Sequence, residues 1–287
     1  MGNRIVGSIF VLVAVLAFSG VVLAQIAQQS GAAGDAADPY YPTLRNKPIP
    51  RTPDGKPDLS GFWAEWRRVA GLPGPVGRAA AARQREIEAS FPAPESEPMA
   101  LTPWAAERHL YNKDPLYDRG DRVRNELDPS SHCFPAGTVR LGAPFQILPT
   151  PGKVFIIYEA NHEVRQIFMD GREHPEDLEL TWNGHSIGRW DGDTLVVDTI
   201  GMRDEPLLDS AGHVHSTELR IVERIRRLAY DVLEIEKTLT DPKALTKPYR
   251  RHTTYPLAPP DWDLLEDVQC EGKYRRGIWF GEGPAGL

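Results

Sequence analysis

The stretch His185-Ser-Ile-Gly-Arg-Trp-Asp-Gly-Asp-Thr-Leu-Val-Val-Asp198 decides the fold. Its centre, Asp191-Gly192, is a two-residue turn sequence between two runs of alternating polarity, which is the strongest short-range signal of a β-hairpin. A type I′ turn at these two residues pairs His185 with Asp198 across the hairpin. The stretch therefore predicts two antiparallel strands that place a histidine directly opposite an aspartate.

Alternation along the strands divides the predicted hairpin into two faces. One face carries Arg189 together with His185 and Asp198, and the other face carries Trp190. If the histidine face lines a cavity, the His–Asp pair is available for catalysis. If the tryptophan face fills the core instead, the pair lies at the surface and the active residues are to be sought around His215.

From Pro144 onward the chain has the pattern of a β-sheet protein. Short runs rich in β-branched and aromatic residues alternate with turn sequences such as Pro151-Gly152 and Asn183-Gly184. The predicted strands cover residues 145–148, 153–159, 163–169, 178–182, 185–190, 193–200, 218–228, 232–240 and 249–255. Because tight turns separate them and no helical pattern lies between them, we expect a mainly β, antiparallel meander closed into a barrel, with a β-sandwich as the alternative.

The N-terminal half of the chain divides into three predicted parts. Arg4 is followed by an apolar run ending in Val22-Leu23-Ala24, which predicts a signal peptide over residues 1–24; an uncleaved membrane anchor is the alternative. Residues 25–50 form a predicted flexible tail. Residues 51–143 form a predicted extended and helical wrap, with helices over 78–91 and 102–111, and residues 144–287 form the barrel domain.

Charge and predicted export restrict the partners. The net charge is −7, and cleavage removes only Arg4 among the charged residues, so the mature chain is still more acidic. We therefore expect a periplasmic or secreted protein that binds neither nucleic acid nor, after cleavage, a membrane. In an oxidising compartment the only two cysteines, Cys133 and Cys270, are expected to form a disulfide, with a reactive thiol at Cys133 as the alternative.

Longer motifs run along most of the chain. They are Thr52–Trp63, Cys133–Arg140, Pro144–Ile147, Asp170–Pro175, Ser186–Gly201, His215–Leu219 and Glu223-Arg224. With these motifs the chain resembles a family of exported bacterial proteins marked by TPDGKPDLSG-x-W and SIGRW-[DE]-GDTLVVDT. The resemblance covers nearly the whole mature chain and implies export and a β-rich, calycin-like (lipocalin-like) barrel. It brings no reaction with it.

The candidate catalytic group is His185 as a base, Asp198 orienting its ring, and His215 as the partner acid. An imidazole with a pKa near neutrality, oriented by a carboxylate, transfers protons at a useful rate. Residues on nearby predicted strands are candidates for holding an anionic or hydroxylated substrate; they are Tyr158, Glu159, Arg165, Arg172 and Trp190. An ordinary cross-strand contact is the alternative interpretation of the His185–Asp198 pair.

His213-Val214-His215 is the candidate metal site. In an extended segment, histidines separated by one residue point to the same side, as two ligands of zinc or copper require. An open position on such a metal could activate water in a hydrolase. The favoured mechanism uses no cofactor, and a nucleotide is not expected because the sequence contains no glycine-rich phosphate loop.

Glu223 is a candidate buried charge, because Glu223 and Arg224 point to opposite faces of a predicted strand. A glutamate inside the barrel needs a cationic partner, since an unpaired buried charge is very costly. Arg165 and Arg189 are the two candidate partners, and the pair would serve either as a structural lock or as a substrate clamp.

The sequence as a whole predicts an exported barrel that binds a small organic molecule in its cavity. Cofactor-independent lyase, isomerase or hydrolase chemistry by the histidine and aspartate is the catalytic form of this hypothesis. A zinc- or copper-dependent hydrolase and a non-catalytic envelope binding protein are the alternatives. The sequence determines neither the substrate nor the oligomeric state, and it leaves open whether the protein is an enzyme.

Overall fold

Nine strands pair in the order in which they occur along the chain. The computed structural model describes residues 40–72, 75–94, 97–113, 127–132 and 134–265. The strands are β1 (Gly61–Trp63), β2 (Phe145–Thr150), β3 (Lys153–Tyr158), β4 (Val164–Phe168), β5 (His185–Asp191), β6 (Thr194–Ile200), β7 (Arg220–Ala229), β8 (Val232–Thr240) and β9 (Tyr249–Pro256). They form a single sheet, so the expectation of a mainly β protein is confirmed.

The sheet curls into a nearly closed barrel, because the residues that follow β1 meet the end of β9. Ala64 N donates to Pro256 O at 2.9 Å, and Ala258 N donates to Phe62 O at 2.8 Å. The expectation of a barrel-shaped sheet is confirmed by this closure. The closing strand β1 comes from the predicted wrap, so the predicted barrel domain of residues 144–287 does not include it.

One strand pair departs from the predicted antiparallel meander. β4 and β5 run parallel, with Ile167 opposite Ser186. A parallel pair needs a long crossover, because the chain must return to the same end of the sheet. Residues 169–184 supply it, so the predicted strand over 178–182 is wrong and the sheet is mixed rather than wholly antiparallel.

The hairpin of β5 and β6 turns one residue later than predicted. Asp191 lies opposite Thr194, so the two turn residues are Gly192 and Asp193 instead of Asp191 and Gly192. Gly192 has a φ of +59°, whereas neither aspartate has a positive φ. A positive φ at the first turn residue alone fits a type II′ turn, which favours glycine at that position.

The later turn changes every cross-strand pair of the hairpin. His185 lies opposite Ile200, and Ile187 lies opposite Asp198. The predicted direct pairing of His185 with Asp198 is therefore wrong. The division into two faces is unaffected, because the register has moved by two positions and the side-chain period of a strand is two.

The tryptophan face of the hairpin is the one that packs inward. Leu195 and Val197 are at most 1% exposed, and Trp190 packs against the same apolar cluster. His185 and Asp198 lie half-buried on the opposite, outer face. Of the two orientations left open by the sequence, the structure has the one that places the predicted catalytic pair outside the barrel.

A layer of charged side chains crosses the barrel interior. Arg165 of β4 and Glu223 of β7 form an ion pair in which both side chains are at most 2% exposed, so the predicted partnership of these two residues is confirmed. Lys237 Nζ of β8 lies 3.4 Å from Glu223 Oε1 and donates to the Thr138 carbonyl oxygen at 3.0 Å. Burial alone would raise the pKa of Glu223, but the two cations outweigh it and hold that pKa below its usual value.

Arg165 also connects β4 to the hairpin. Its Nε donates to Ser186 Oγ at 3.2 Å and its Nη2 donates to Thr199 Oγ1 at 2.8 Å. Both hydroxyls are buried, so they satisfy guanidinium donors that water cannot reach. The guanidinium thus links side chains across the parallel junction of β4 and β5.

Helices cover the outside of the barrel. They are α1 (Tyr40–Leu44), α2 (Trp66–Ala70), α3 (Pro75–Ser90), α4 (Pro103–Asn112) and α5 (Gly137–Arg140). The predicted helices over 78–91 and 102–111 correspond to α3 and α4, and Thr102 caps α4 by accepting a hydrogen bond from Ala105 N at 3.3 Å. Arg83 of α3 donates two hydrogen bonds of 2.9 Å to Asp231 in the β7–β8 turn, which holds the wrap against the sheet.

Several predictions fall on parts of the chain outside the described ranges. The signal peptide, residues 25–39 of the predicted tail, and both cysteines belong to this group, so cleavage after Ala24 and the Cys133–Cys270 disulfide stay predictions. The described end of the predicted tail is helical and packed, with Tyr41 only 1% exposed. Within the described ranges, no helix is long and apolar enough to cross a membrane.

Replacing Glu223 with glutamine removes the anion that two buried cations share. We expect Glu223→Gln to lower the free energy of unfolding by about 3–5 kcal/mol, because it leaves buried charge uncompensated. Urea denaturation at neutral pH measures the change. Glu236→Gln, on the outer face of β8, is the matched control and is expected to change stability by no more than about 0.5 kcal/mol. Equal effects of the two substitutions would contradict the stabilising role of the charged layer.

Candidate functional site

The end of the barrel at the β5–β6 turn holds a pocket of about 350 Å³, which we call the mouth pocket. Its walls include Leu59, Ile147, Val154 and Leu195, which also belong to the apolar core of the barrel, and the half-buried Trp190. Pockets that bind small organic molecules have this apolar character and begin at about 300 Å³. The mouth pocket therefore has the size and lining of a small-molecule site.

A turn of the N-terminal wrap lies over one side of the mouth pocket. Thr52 N donates to Lys56 O at 2.9 Å and closes the turn. Lys56 Nζ donates to Gly192 O at 3.1 Å, and Arg51 makes two hydrogen bonds of 3.0 and 2.6 Å to the Asp193 carboxylate. These contacts fix the wrap to the tip of the hairpin and hold the rim in place.

Lys56 is the cationic group next to the aromatic wall. Its Nζ lies 6.0 Å from the centroid of the Trp190 ring. An ammonium group has three N–H donors. Since Gly192 O is the single hydrogen-bond acceptor described for Lys56, donors remain for an acceptor group on a ligand.

Of the predicted substrate-binding residues, Trp190 lines the mouth pocket. Arg165 and Tyr158 lie in the charged layer of the interior instead. Burial raises the pKa of Tyr158, so its hydroxyl stays protonated, and the charge of Arg165 is matched by Glu223. The contacts of these two residues are therefore with other parts of the barrel.

The other two predicted substrate-binding residues make contacts outside the mouth pocket. Glu159 is 4% exposed and accepts a hydrogen bond from Arg68 Nη1 of α2 at 2.6 Å. Arg172 lies in the crossover, where it pairs with Asp170 and sits 3.9 Å above the ring centroid of Phe168. Glu159 thus serves to attach the wrap, and Arg172 belongs to the outer face.

The predicted catalytic pair is joined through a third residue on the outer face. His185 Nδ1 lies 2.8 Å from His174 Nδ1, and His174 Nε2 lies 3.7 Å from Asp198 Oδ2. The His185 ring stacks on Phe168, with 5.1 Å between the ring centroids. Burial lowers the pKa of His185, and the electrostatic interactions of its ring with His174 and Arg172 lower it further. His174 therefore lies between His185 and Asp198, for which the sequence predicts direct contact.

His215, the predicted partner acid, lies in a buried turn before β7. Its ring is 2% exposed, and Nδ1 lies 2.9 Å from the carbonyl oxygen of Ser216. Ser216 N and Oγ donate to Asp241 at 2.6 and 2.9 Å. Burial lowers the pKa of His215, so the folded protein favours its neutral form. These contacts give His215 the role of an ordered turn residue.

The two histidines of the candidate metal site make unrelated contacts. His213 Nδ1 lies 2.7 Å from Asp209 Oδ2, and its ring stacks on His109 with 3.9 Å between centroids. In the described part of the chain, no group of three or more histidine, cysteine, aspartate or glutamate side chains is placed to hold a metal ion. The zinc or copper alternative at His213 and His215 gains no support from this geometry.

Sequence reasoning missed Lys56 at the mouth pocket, and it did not predict that His174 lies between His185 and Asp198. Both lie in motifs singled out above, Thr52–Trp63 and Asp170–Pro175. Each acquires its role from contact with the distant hairpin, and neither hydrophobic alternation nor local turn chemistry reports such contacts. The motifs themselves were the available signal.

No family model, no curated protein and no solved structure matches this chain. The family resemblance and the calycin-like identity of the barrel therefore stay predictions. The function has to be argued from the geometry of the sites.

The burial of His215 predicts how stability depends on pH. Above pH 6.5, the ordinary pKa of histidine, the ring is neutral in both the folded and the unfolded chain. Below that value the unfolded chain takes up a proton that the folded chain resists, so the free energy of unfolding falls as the pH falls. We expect His215→Asn to reduce this slope by up to about 1.4 kcal/mol per pH unit in urea denaturation between about pH 7 and pH 5.

The matched control is His162→Asn. His162 is exposed and has a φ of +51°, which asparagine tolerates better than most residues. The slope of its unfolding free energy with pH is expected to equal that of the parent protein. If His215→Asn and His162→Asn have the same slope, protonation of the buried His215 is not what limits acid stability.

Proposed function

We propose that the protein binds a small organic molecule, with an apolar body and one anionic or acceptor group, in the mouth pocket. The observation that supports this proposal most directly is the pocket of about 350 Å³ whose walls are core residues of the barrel. The side chains of Arg165, Glu223 and Lys237 occupy the charged layer farther inside. Binding is therefore proposed at the mouth rather than in a central cavity.

Apolar contact supplies most of the attraction in this proposal. A ligand that covers the half-buried side chains of Trp190 and Met169 removes apolar surface from water, at about 25 cal/mol per Å². An aromatic ligand gains further from stacking on the indole ring. A small ion with no apolar part gains none of this, so the proposed ligand class is amphipathic.

Lys56 provides the specificity for the polar end of the ligand. Its ammonium group lies at the rim, so a carboxylate placed there keeps contact with water while it accepts a charge-assisted hydrogen bond. The turn that carries Lys56 is already held by the ion pair of Arg51 with Asp193. The rim is thus preorganised, and binding does not have to order a loop.

The proposal for the mouth pocket is binding, without acid–base chemistry. His185 and Asp198 lie on the outer face of the hairpin, and His215 is buried in its own turn. With the predicted signal peptide, we propose that binding takes place in the periplasm or outside the cell. The ligand is then a molecule that reaches that compartment.

The experiment is isothermal titration of the protein with octanoate and with its neutral analogue octanamide. We expect Trp190→Ala to raise the Kd for both ligands by about tenfold or more, because the aromatic wall is lost. Lys56→Gln is expected to raise the Kd for octanoate several-fold, by about the worth of one charge-assisted hydrogen bond, and to leave octanamide binding unchanged.

Trp182→Ala and Lys243→Gln are the matched controls. Trp182 stacks on Phe134, and the ammonium of Lys243 lies over Trp104, both away from the mouth pocket. Neither substitution is expected to change the Kd for either ligand. Binding that is equally weakened by Trp182→Ala, or an absence of binding at about millimolar ligand, would exclude the mouth pocket as a site for this class of molecule.

A further inference from the structure

A second pocket, of about 210 Å³, lies on the outer face of β5, β6 and β7, and we call it the arginine pocket. Three arginines line it, Arg172, Arg189 and Arg220, together with Asp198. Aliphatic side chains such as that of Val196 complete its lining. The lining therefore carries more positive than negative charge, and the pocket is smaller than the mouth pocket.

The three guanidinium groups keep donors that no carboxylate uses. Arg220 gives its Nε and Nη2 to Asp198 at 2.8 and 2.6 Å, and Arg172 pairs with Asp170. Arg189 is exposed and forms no ion pair with any described residue. A guanidinium has five N–H donors in a planar fork that matches the oxygens of a carboxylate, phosphate or sulfate. The arginine pocket thus offers converging donors to an oxyanion.

The histidine pair beside the pocket shares a hydrogen. The Nδ1 atoms of His174 and His185 are 2.8 Å apart, so one nitrogen carries the hydrogen and the other accepts it. If His174 is the donor in this contact, its neutral ring presents a lone pair at Nε2. If His185 is the donor, His174 carries its hydrogen at Nε2 instead.

Asp198 decides between these two arrangements. His174 Nε2 is buried, has no hydrogen-bond partner among the described residues, and lies 3.7 Å from Asp198 Oδ2. A lone pair facing the carboxylate would be repelled, whereas an N–H group would be attracted. We therefore assign the hydrogen to Nε2 of His174 and to Nδ1 of His185. The remaining nitrogen, His185 Nε2, then holds the basic lone pair.

We propose that the arginine pocket binds a small oxyanion and that the histidine pair takes up one proton when the anion binds. An anion in the pocket competes with Asp198 for Arg220 and with Asp170 for Arg172. It also reduces the positive field that Arg172 exerts on His185. Both effects favour an imidazolium, with Asp198 released to face His174. This proposal does not depend on the mouth pocket.

The charged groups around the histidine pair come from four elements. They are Asp170 and Arg172 of the crossover, Asp198 of β6, Arg220 of β7 and, across the ring of Phe168, Lys153 of β3, whose Nζ lies 5.1 Å from that ring. The two carboxylates are each paired with an arginine, Asp170 with Arg172 and Asp198 with Arg220. Neither carboxylate is therefore free to pair with the two histidines until a bound anion takes its place at an arginine.

Sulfate is the probe, because its charge does not change between about pH 5 and 8, the range in which an unperturbed imidazole changes its charge. Isothermal titration of the full chain is carried out at about pH 6 and about pH 8, in two buffers that differ in ionisation enthalpy. We expect one sulfate per chain with the uptake of about one proton. The Kd is expected to rise with pH by up to about tenfold per pH unit.

Two variants separate the anion site from the proton uptake. Arg189→Ala removes the guanidinium that pairs with no carboxylate in the described part of the chain, and it is expected to raise the Kd for sulfate about tenfold at both pH values. His185→Gln is expected to abolish the proton uptake. Arg203→Ala is the matched control, because Arg203 is an exposed arginine paired with Glu205 outside the pocket, and it is expected to change neither quantity.

Three results would overturn the proposal. The first is an absence of sulfate binding at about 10 mM. The second is a Kd that Arg189→Ala leaves unchanged, and the third is proton uptake that persists in His185→Gln. If His185→Gln fails to fold, long-range ¹⁵N–¹H spectra of the wild-type rings replace it. We expect the assigned hydrogens without sulfate and a second protonated nitrogen on one ring with it. Rings that are unchanged at saturating sulfate would contradict the coupling. Loss of octanoate binding in Trp190→Ala has no bearing on this outcome.

Discussion

The buried ion pair of Arg165 and Glu223 stabilises the barrel at a junction where the backbone pairing is short. β4 and β5 run parallel and share only two Cα pairs, Ile167 with Ser186 and Phe168 with Ile187. The guanidinium of Arg165 crosses this junction and reaches β7 through the ion pair. Removing two ions from water costs several kcal/mol for each, so the layer is stable only because opposite charges lie in contact within it. With a fixed polar layer inside the barrel, the two proposed binding sites lie at the mouth and on the outer face.

Asp198 lies between the arginine pocket and the histidine pair on the outer face, in contact with Arg220 and close to His174. Both of its oxygens accept short hydrogen bonds from Arg220, and Oδ2 also lies 3.7 Å from His174 Nε2. One carboxylate cannot satisfy both donors at full strength, and the arginine has the better geometry. An added anion changes this division, because it takes over the arginine and leaves the carboxylate to the histidines. In this site Arg220 and His174 therefore compete for Asp198, and His185 and Asp198 do not form a preformed catalytic dyad.

The elements that depend on local sequence patterns could be predicted from the sequence. The positions of side chains that depend on packing between segments could not. Period-two alternation and turn residues predicted the strands on either side of the hairpin, and Thr102 predicted the start of α4. The sequence predicts a strand over 178–182 where the structure has a crossover. A long polar crossover without a helix has no local sequence pattern that distinguishes it from strands and turns. The turn at Gly192 was placed one residue early, because Asp-Gly suits a type I′ turn as well as Gly-Asp suits type II′. The site residues Lys56 and His174 needed contacts between distant segments, which alternation cannot report.

Both proposed sites depend on the register that this turn sets. Trp190 and Arg189 are consecutive in β5, and alternation sends the first into the mouth pocket and the second into the arginine pocket. A slip of one residue would exchange them, placing a guanidinium against the apolar core and an indole on the outer face. Gly192 opposes such a slip because its φ of +59° is strained for other residues. The wrap opposes it too, since Arg51 and Lys56 bind the same turn. The contacts that form the rim of one site therefore also fix the position of the other.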